Sequence, residues 1–361
     1  MPFFRRKIAL SLFLQPLLLT VFLARGNAEQ VAPPAAAQAE VEECLGCHSD
    51  ASLEKVLPDG GKLSLTVDAA LFAKSVHGSR GCTGCHRAER EVPHPATTAK
   101  SVDELRSAFG ETCRHCHFEN FTRALDGVHH AQRMAGNSGA PTCIDCHGSH
   151  DIGRAGRPRA RVSQTCAGCH SDIFDVYAKS IHGRALLEEG KEDVPVCTDC
   201  HRSHDIADPK NRRWLMSTPE ACGRCHSDET RMAKYKLSTK VVDTYLADFH
   251  GMSASLYKGQ KQSEMKVVAL CTDCHGVHDI ASTRGVDAAK LKANVLRACR
   301  KCHPDASPNF PAAWLSHYQP SPTKAPLVWF VTLFYKGLIP FMLVGLVLQI
   351  LLHLWRAVVN K

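Results

Sequence analysis

Nine times in this chain a pair of cysteines, three positions apart, is followed at once by a histidine. The pairs are Cys44 and Cys47, Cys82 and Cys85, Cys113 and Cys116, Cys143 and Cys146, Cys166 and Cys169, Cys197 and Cys200, Cys222 and Cys225, Cys271 and Cys274, and Cys299 and Cys302. The histidines that close them are His48, His86, His117, His147, His170, His201, His226, His275 and His303. All 18 cysteines are used, so none is left over for a disulfide. In a Cys-x-x-Cys-His motif the two thiols can form thioethers with the vinyl groups of a haem, and the adjoining imidazole becomes a ligand to its iron. A zinc ribbon would pair two Cys-x-x-Cys knuckles and would need no histidine after each. A redox Cys-x-x-Cys would occur once, on a thioredoxin-like pattern of strands and helices that is absent here. The spacing predicts nine covalently attached haems c.

The text around the motifs alternates between two kinds. Motifs of the first kind run on into a polar pair, as in CHSD at His48, His170 and His226, with CHFE at His117 and CHPD at His303. Motifs of the second kind read CIDCHGSHDI from Cys143, CTDCHRSHDI from Cys197 and CTDCHGVHDI from Cys271, with a degenerate member at Cys82. A further histidine recurs after each first-kind motif, as SVHG at His77, SIHG at His182, DFHG at His250, GVHH at His129 and LSHY at His317. A trailing histidine follows each second-kind motif, namely His94, His150, His204 and His278. The chain thus reads as four and a half copies of a two-haem unit.

These nine extra histidines are candidates for the second axial ligand of nine irons, and two imidazoles make a six-coordinate haem suited to electron exchange. For each the alternative is a surface or capping histidine, most openly so at His94, at His317 and in the choice of His129 over His130. His147 and His150 share one face of a helical turn, so they cannot sandwich a single iron. His150, His204 and His278 should therefore reach a neighbouring haem. His115, inside CRHCH, reads as a surface residue.

The elements that must position these groups are modest. Residues 41–325 have to wrap nine haems with roughly 30 residues each, so the macrocycles supply much of the core. Helical periodicity is confined to short pieces such as Asp172–Ile181 and Thr239–Phe249. The expected fold is mainly α with extensive loops, built from repeated two-haem units, plus one C-terminal transmembrane helix.

Both ends are apolar. Residues 1–28 read as a signal peptide, with Arg5, Arg6 and Lys7 ahead of an apolar run and Gly26 and Ala28 at a cleavage site; an uncleaved anchor is the alternative. Residues 29–40 read as a flexible leader rich in Ala, Pro and Gln. Residues 327–355 form a long apolar stretch whose only charge is Lys336, long enough to span a bilayer, with a buried core helix as the alternative. Arg356 and Lys361 then place a tail, 356–361, in the cytoplasm and the haem domain in the periplasm. His353 is an interfacial histidine or a ligand or quinone contact shared with a membrane partner. The net charge of +8 falls to +4 without Arg5, Arg6, Lys7 and Arg25, and no basic helix or nucleic-acid motif is present.

The CxxCH array, the xHG histidines and the CHxxHDI repeats resemble the multihaem cytochromes c of anaerobic respiration. That group includes NapC/NirT-like quinol dehydrogenases, the tetrahaem cytochromes of nitrifiers and octahaem reductases. The resemblance covers Cys44 to about His317. It implies stacked haem pairs that serve between a quinol-oxidising membrane module and periplasmic redox proteins. NapC/NirT-like proteins carry an N-terminal anchor, whereas this one is C-terminal. That difference points to a c-type subunit whose b-type cytochrome partner meets the quinone. An electron carrier is expected, with no catalytic residue. The rival is a reductase of a small nitrogen or sulfur oxyanion with one open haem, although no motif ends in Lys in place of His.

Overall fold

The computed structural model of the chain describes residues 35–313, 317 and 319–360. The expected signal peptide over 1–28 lies outside them. The fold is mainly helical, with 54% of residues in helix and little sheet. Ahead of the last helix the helices are short, from the four-residue Phe310–Ala313 to the 14-residue Ala35–His48. A hairpin pairs Glu54–Val56 with Lys62–Ser64 in antiparallel register.

The leader expected over 29–40 is helical from Ala35 onward, because its alanines are strong helix formers and continue into the first motif. A side-chain contact also holds it. Glu40 accepts a hydrogen bond of 2.6 Å from the backbone N–H of Thr83, which ties this helix to the second motif. The two periodic stretches are helical with one difference each. Helix Ser171–Lys179 stops at Ser180 and a new helix starts at Ile181; Val241–Leu246 likewise gives way to Phe249–Lys258. Each break turns a corner, and His182 and His250 stand just beyond it.

The glycine of the xHG text explains that corner. A Cβ at Gly183 would lie 2.0 Å from the carbonyl oxygen of Tyr177, at Gly251 2.0 Å from that of Tyr245, and at Gly78 2.6 Å from that of Phe72. Only glycine lets the second helix start this close to the end of the first. In the second unit, where His130 takes the glycine place, Gly127 makes the close approach instead, 2.6 Å from the carbonyl of His204.

The polypeptide's own core is thin. One buried cluster joins Tyr177, Ala185, Leu186, Val194 and Val196, and a second joins Met216, Ala254, Met265 and Leu270. Each cluster packs a first-kind segment against the lead-in to the next second-kind motif. The phenol O–H of Tyr177 reaches the carbonyl of Pro195 at 2.7 Å, and that of Tyr245 reaches the carbonyl of Ala269 at 3.0 Å.

The last helix, Pro326–Val359, has 34 residues and is long and apolar enough to span a membrane. It begins one residue before the expected 327 and absorbs most of the tail expected at 356–361, since nothing breaks the helix before Asn360. Pro340 lies inside it and removes one backbone donor.

Candidate haem sites

The second-kind motifs are five-residue helices, Cys143–His147, Cys197–His201 and Cys271–His275. So short a helix needs its first donors satisfied, and the aspartate inside the motif does this. Asp145 accepts from the backbone N–H of Thr142 at 2.7 Å, Asp199 from Val196 at 2.6 Å and Asp273 from Leu270 at 2.8 Å. Arg106 pairs with Asp145 and Arg159 with Asp199, which docks each of these motifs on the helix that precedes a first-kind motif. At the far end the backbone turns through a positive φ, at Gly148 (77°), Arg202 (66°) and Gly276 (82°). That turn swings the trailing histidine away from its own motif.

First-kind histidines sit at helix junctions. His117 and His170 are the N-terminal caps of helices Phe118–Leu125 and Ser171–Lys179. The acid in CHFE and CHSD, Glu119 or Asp172, falls in the first turn of that next helix, where the helix dipole favours it.

Two imidazoles on opposite sides of one metal ion, each bonded at about 2 Å, place their ring centroids about 6 Å apart. The structure sets eight of the nine motif histidines against an extra histidine at that spacing. Among first-kind motifs, His48 faces His94 at 6.0 Å, His117 faces His77 at 6.0 Å, His170 faces His129 at 6.3 Å and His226 faces His182 at 6.3 Å. Among second-kind motifs, His86 faces His150 at 5.9 Å, His147 faces His204 at 6.1 Å, His201 faces His278 at 5.9 Å and His275 faces His317 at 5.9 Å.

Two rules emerge from these pairs. A trailing histidine reaches back to the preceding second-kind motif, and an xHG histidine reaches forward to the next first-kind motif. His317 follows the first rule although its LSHY text was grouped with the xHG histidines. His94, grouped with the trailing histidines, serves a first-kind motif. In the second unit it is His129 that is paired, and His115 is exposed. His303 and His250 remain outside this set of ring pairs; Phe310 packs on His303 at 5.3 Å, and Asp248 lies 3.5 Å from His250.

Hydrogen bonding and burial prepare these imidazoles for a metal. The Nδ1 of His48 is 2.7 Å from the carbonyl of Leu65, and the Nδ1 of His94 is 2.8 Å from that of Glu91. A proton held there leaves the Nε2 lone pair of each ring free. Burial lowers the pKa of His86, His129, His150 and His201, and it brings His182 down to about 4, so these rings stay neutral at ordinary pH. The residues present therefore fit an iron ligated by two imidazoles, which is the donor set of a six-coordinate haem.

Backbone bonds fix the xHG histidines. The residue just before three of them donates to the isoleucine carbonyl of the HDI loop in the next two-haem unit. Val76 donates to Ile152 at 2.8 Å, Val128 to Ile206 at 2.7 Å and Ile181 to Ile280 at 2.8 Å. Neither this clamp nor the aspartate caps was anticipated from the sequence. The recurring HDI and C-x-D-C-H texts were the signals that could have exposed them.

Cysteines link consecutive motifs. First cysteines lie close enough to perturb one another: beyond burial, Cys44 helps to raise the pKa of Cys82, and Cys143 helps to raise that of Cys113, Cys197 that of Cys166 and Cys271 that of Cys222. Between those couples, burial raises the pKa of Cys85, Cys146, Cys200 and Cys274, and the nearby Cys116, Cys169, Cys222 and Cys299 respectively raise it further. The nine motifs thus form one unbroken succession in chain order.

Residues 137–227 match the family model described as cytochrome c3. That cytochrome c3-like segment holds the motifs at Cys143, Cys166, Cys197 and Cys222 and covers less than half of the chain. It supports a multihaem electron-transfer cytochrome of the c type with covalently bound haem. No curated protein and no solved structure matches the chain.

Proposed function

We propose that this chain is a nine-haem electron relay, anchored by its C-terminal helix with the haem domain in the periplasm. It carries electrons between a quinol-linked b-type membrane partner and periplasmic acceptors in anaerobic respiration. The observation that carries this reading is the unbroken succession of motifs from Cys44 to Cys299, each with cysteines close enough to perturb those of the next. Haem at each motif would supply a one-electron iron couple. The residues do the remaining work. Each cysteine pair would tether one macrocycle, and at eight motifs two facing imidazoles would supply both nitrogen ligands to its iron. A cleft lined by Arg80, Arg87 and Arg90 beside the second motif offers cations for haem propionates.

The succession also has a direction. Its ninth motif lies next in sequence to the apolar helix that begins at Pro326, and the first motif lies at the other end. Electrons from a membrane partner would enter at the ninth and leave towards the first. The test is reduction in membranes. A full chain and one lacking residues 326–361 are each exported with haem, and quinol-driven reduction of the haems is followed optically. The reading requires rapid reduction of the anchored form and its loss in the truncated one. Equal rates in both would refute the membrane partner, and attachment of fewer than nine haems would refute the site assignments.

A further inference from the structure

We infer that the iron held by His303 has an open sixth position that takes a small exogenous ligand, which makes the ninth motif a binding site as well as a relay point. This rests on the reading of the nine motifs as haem sites. Two separate observations lead to it. The first is pairing. Eight motif histidines face an extra histidine at 5.9–6.3 Å, and the ligand that the pairing rules would give His303 is His250. No ring contact between those two occurs among the described residues. The rings that do lie against them are aromatic side chains, Phe310 on His303 at 5.3 Å and Phe249 on His250 at 6.2 Å.

The second observation gives the cause. The xHG histidines that do pair with the next first-kind motif, His77, His129 and His182, all follow a residue clamped to an HDI isoleucine. In the fourth unit the equivalent donor is the N–H of Phe249, and it is bonded to the carboxylate of Asp248 at 2.7 Å. The segment that reaches this end of the fold carries His317, which serves His275. So the fourth xHG histidine lacks the backbone bond that aims the other three, and it is the one that is not aimed. Loss of aim follows from loss of the clamp.

The ligand class follows from the position. A haem iron with one imidazole and one open face binds a diatomic π-acceptor when ferrous, and water or a small anion when ferric. A reactive haem at the ninth motif would stand at the end of the succession nearest the apolar helix. In the sequence alone His94 and His317 were the weakest ligand assignments, yet both are paired at 5.9–6.0 Å, and this moves the open place to His303.

The experiment uses the full chain, purified in detergent with its haems counted. Carbon monoxide is titrated into the dithionite-reduced protein, and the oxidised protein is examined by EPR. One carbon monoxide per chain and a high-spin signal from one haem are expected. The His250→Ala chain should give the same single site, and His94→Ala should add a second, at His48. No carbon monoxide bound to the unsubstituted chain, with nine haems present, would overturn this inference and leave the relay standing. An additional site in His250→Ala would also overturn it, because it would show His250 on its iron. A haem count below nine would instead strike the assignment on which both readings rest.

Discussion

Replacing Val128 by proline tests the clamp without disturbing the helix that follows it. Val128 is the first residue of helix Val128–Met134, a position where proline's fixed φ and missing N–H are tolerated. The preceding Gly127 has ψ 153°, the extended conformation that a residue before proline needs. The substitution removes the 2.7 Å bond from Val128 to the carbonyl of Ile206 and puts the ring Cδ where the N–H pointed, so the two segments part there. A hydrogen bond of this kind contributes about 1 kcal/mol net. If that energy aims His129 at the iron of His170, the His129 ligand should dissociate about 5-fold more readily. Carbon monoxide replaces a histidine ligand on ferrous haem only after the histidine leaves. Stopped-flow mixing of the reduced protein with carbon monoxide should therefore show one slow phase accelerated about 5-fold, with the other slow phases unchanged. If every phase moved together, the bond would be acting on global stability. If none moved, the clamp would have no part in aiming the ligand.

Three further outcomes follow from the same geometry. Gly183→Ala would drive a Cβ into the carbonyl of Tyr177, 2.0 Å away; we expect a loss of roughly 1–3 kcal/mol in thermal unfolding and a weakened low-spin signal from the haem shared by His182 and His226. Arg202 holds a φ of 66° where the sister motifs carry glycine, so Arg202→Gly should relieve backbone strain of roughly 1–3 kcal/mol and lose an ion pair to Asp205 contributing about 1 kcal/mol, for a small net gain in thermal unfolding. Burial alone would raise the pKa of Asp205, but hydrogen bonds from Arg123 and Arg202 outweigh it and bring the group from 3.8 to about 2. A depressed carboxylate pKa stabilises the fold fully above 3.8 and loses that contribution as pH falls through about 2, so Asp205→Asn should flatten acid unfolding in this window by about 1 kcal/mol after solvent screening.

The attachment chemistry was legible in the sequence because it is local. Cys166, Cys169 and His170 lie within one turn of chain, and no tertiary contact is needed to recognise them. The exclusion of His150 as a partner for His147 was legible for the same reason, since three residues on one helical face fix a direction. Which histidine stands opposite His147 was not legible, because His204 arrives through a different helix and a positive-φ turn. The alternating repeat came close. It gave the two classes of histidine but assigned His317 by its LSHY text, whereas the structure assigns it by where the chain runs after the ninth motif. The Ile206 carbonyl that holds Val128 was marked only by the recurring HDI text, which does not say what donates to it, because every residue carries a carbonyl. The leader was misjudged at Ala35–Glu40, where the alanines that read as flexible also favour helix and Glu40 finds a donor on Thr83.

The clamp has a consequence for how the molecule is made. Val76 is set by Ile152, Val128 by Ile206 and Ile181 by Ile280, so each unit is completed by chain that is synthesised later. If the chain is exported from its N-terminus, as the proposed function requires, His86 would emerge well before His150, and His201 well before His278. Each newly loaded haem would then wait, with one face unprotected, until a later stretch of polypeptide emerges to cover it. Maturation would advance as a moving front, with a short zone of half-ligated iron behind the translocation pore. A stall in export would strand the most recent haems in that state, and the finished part of the relay would already be locked.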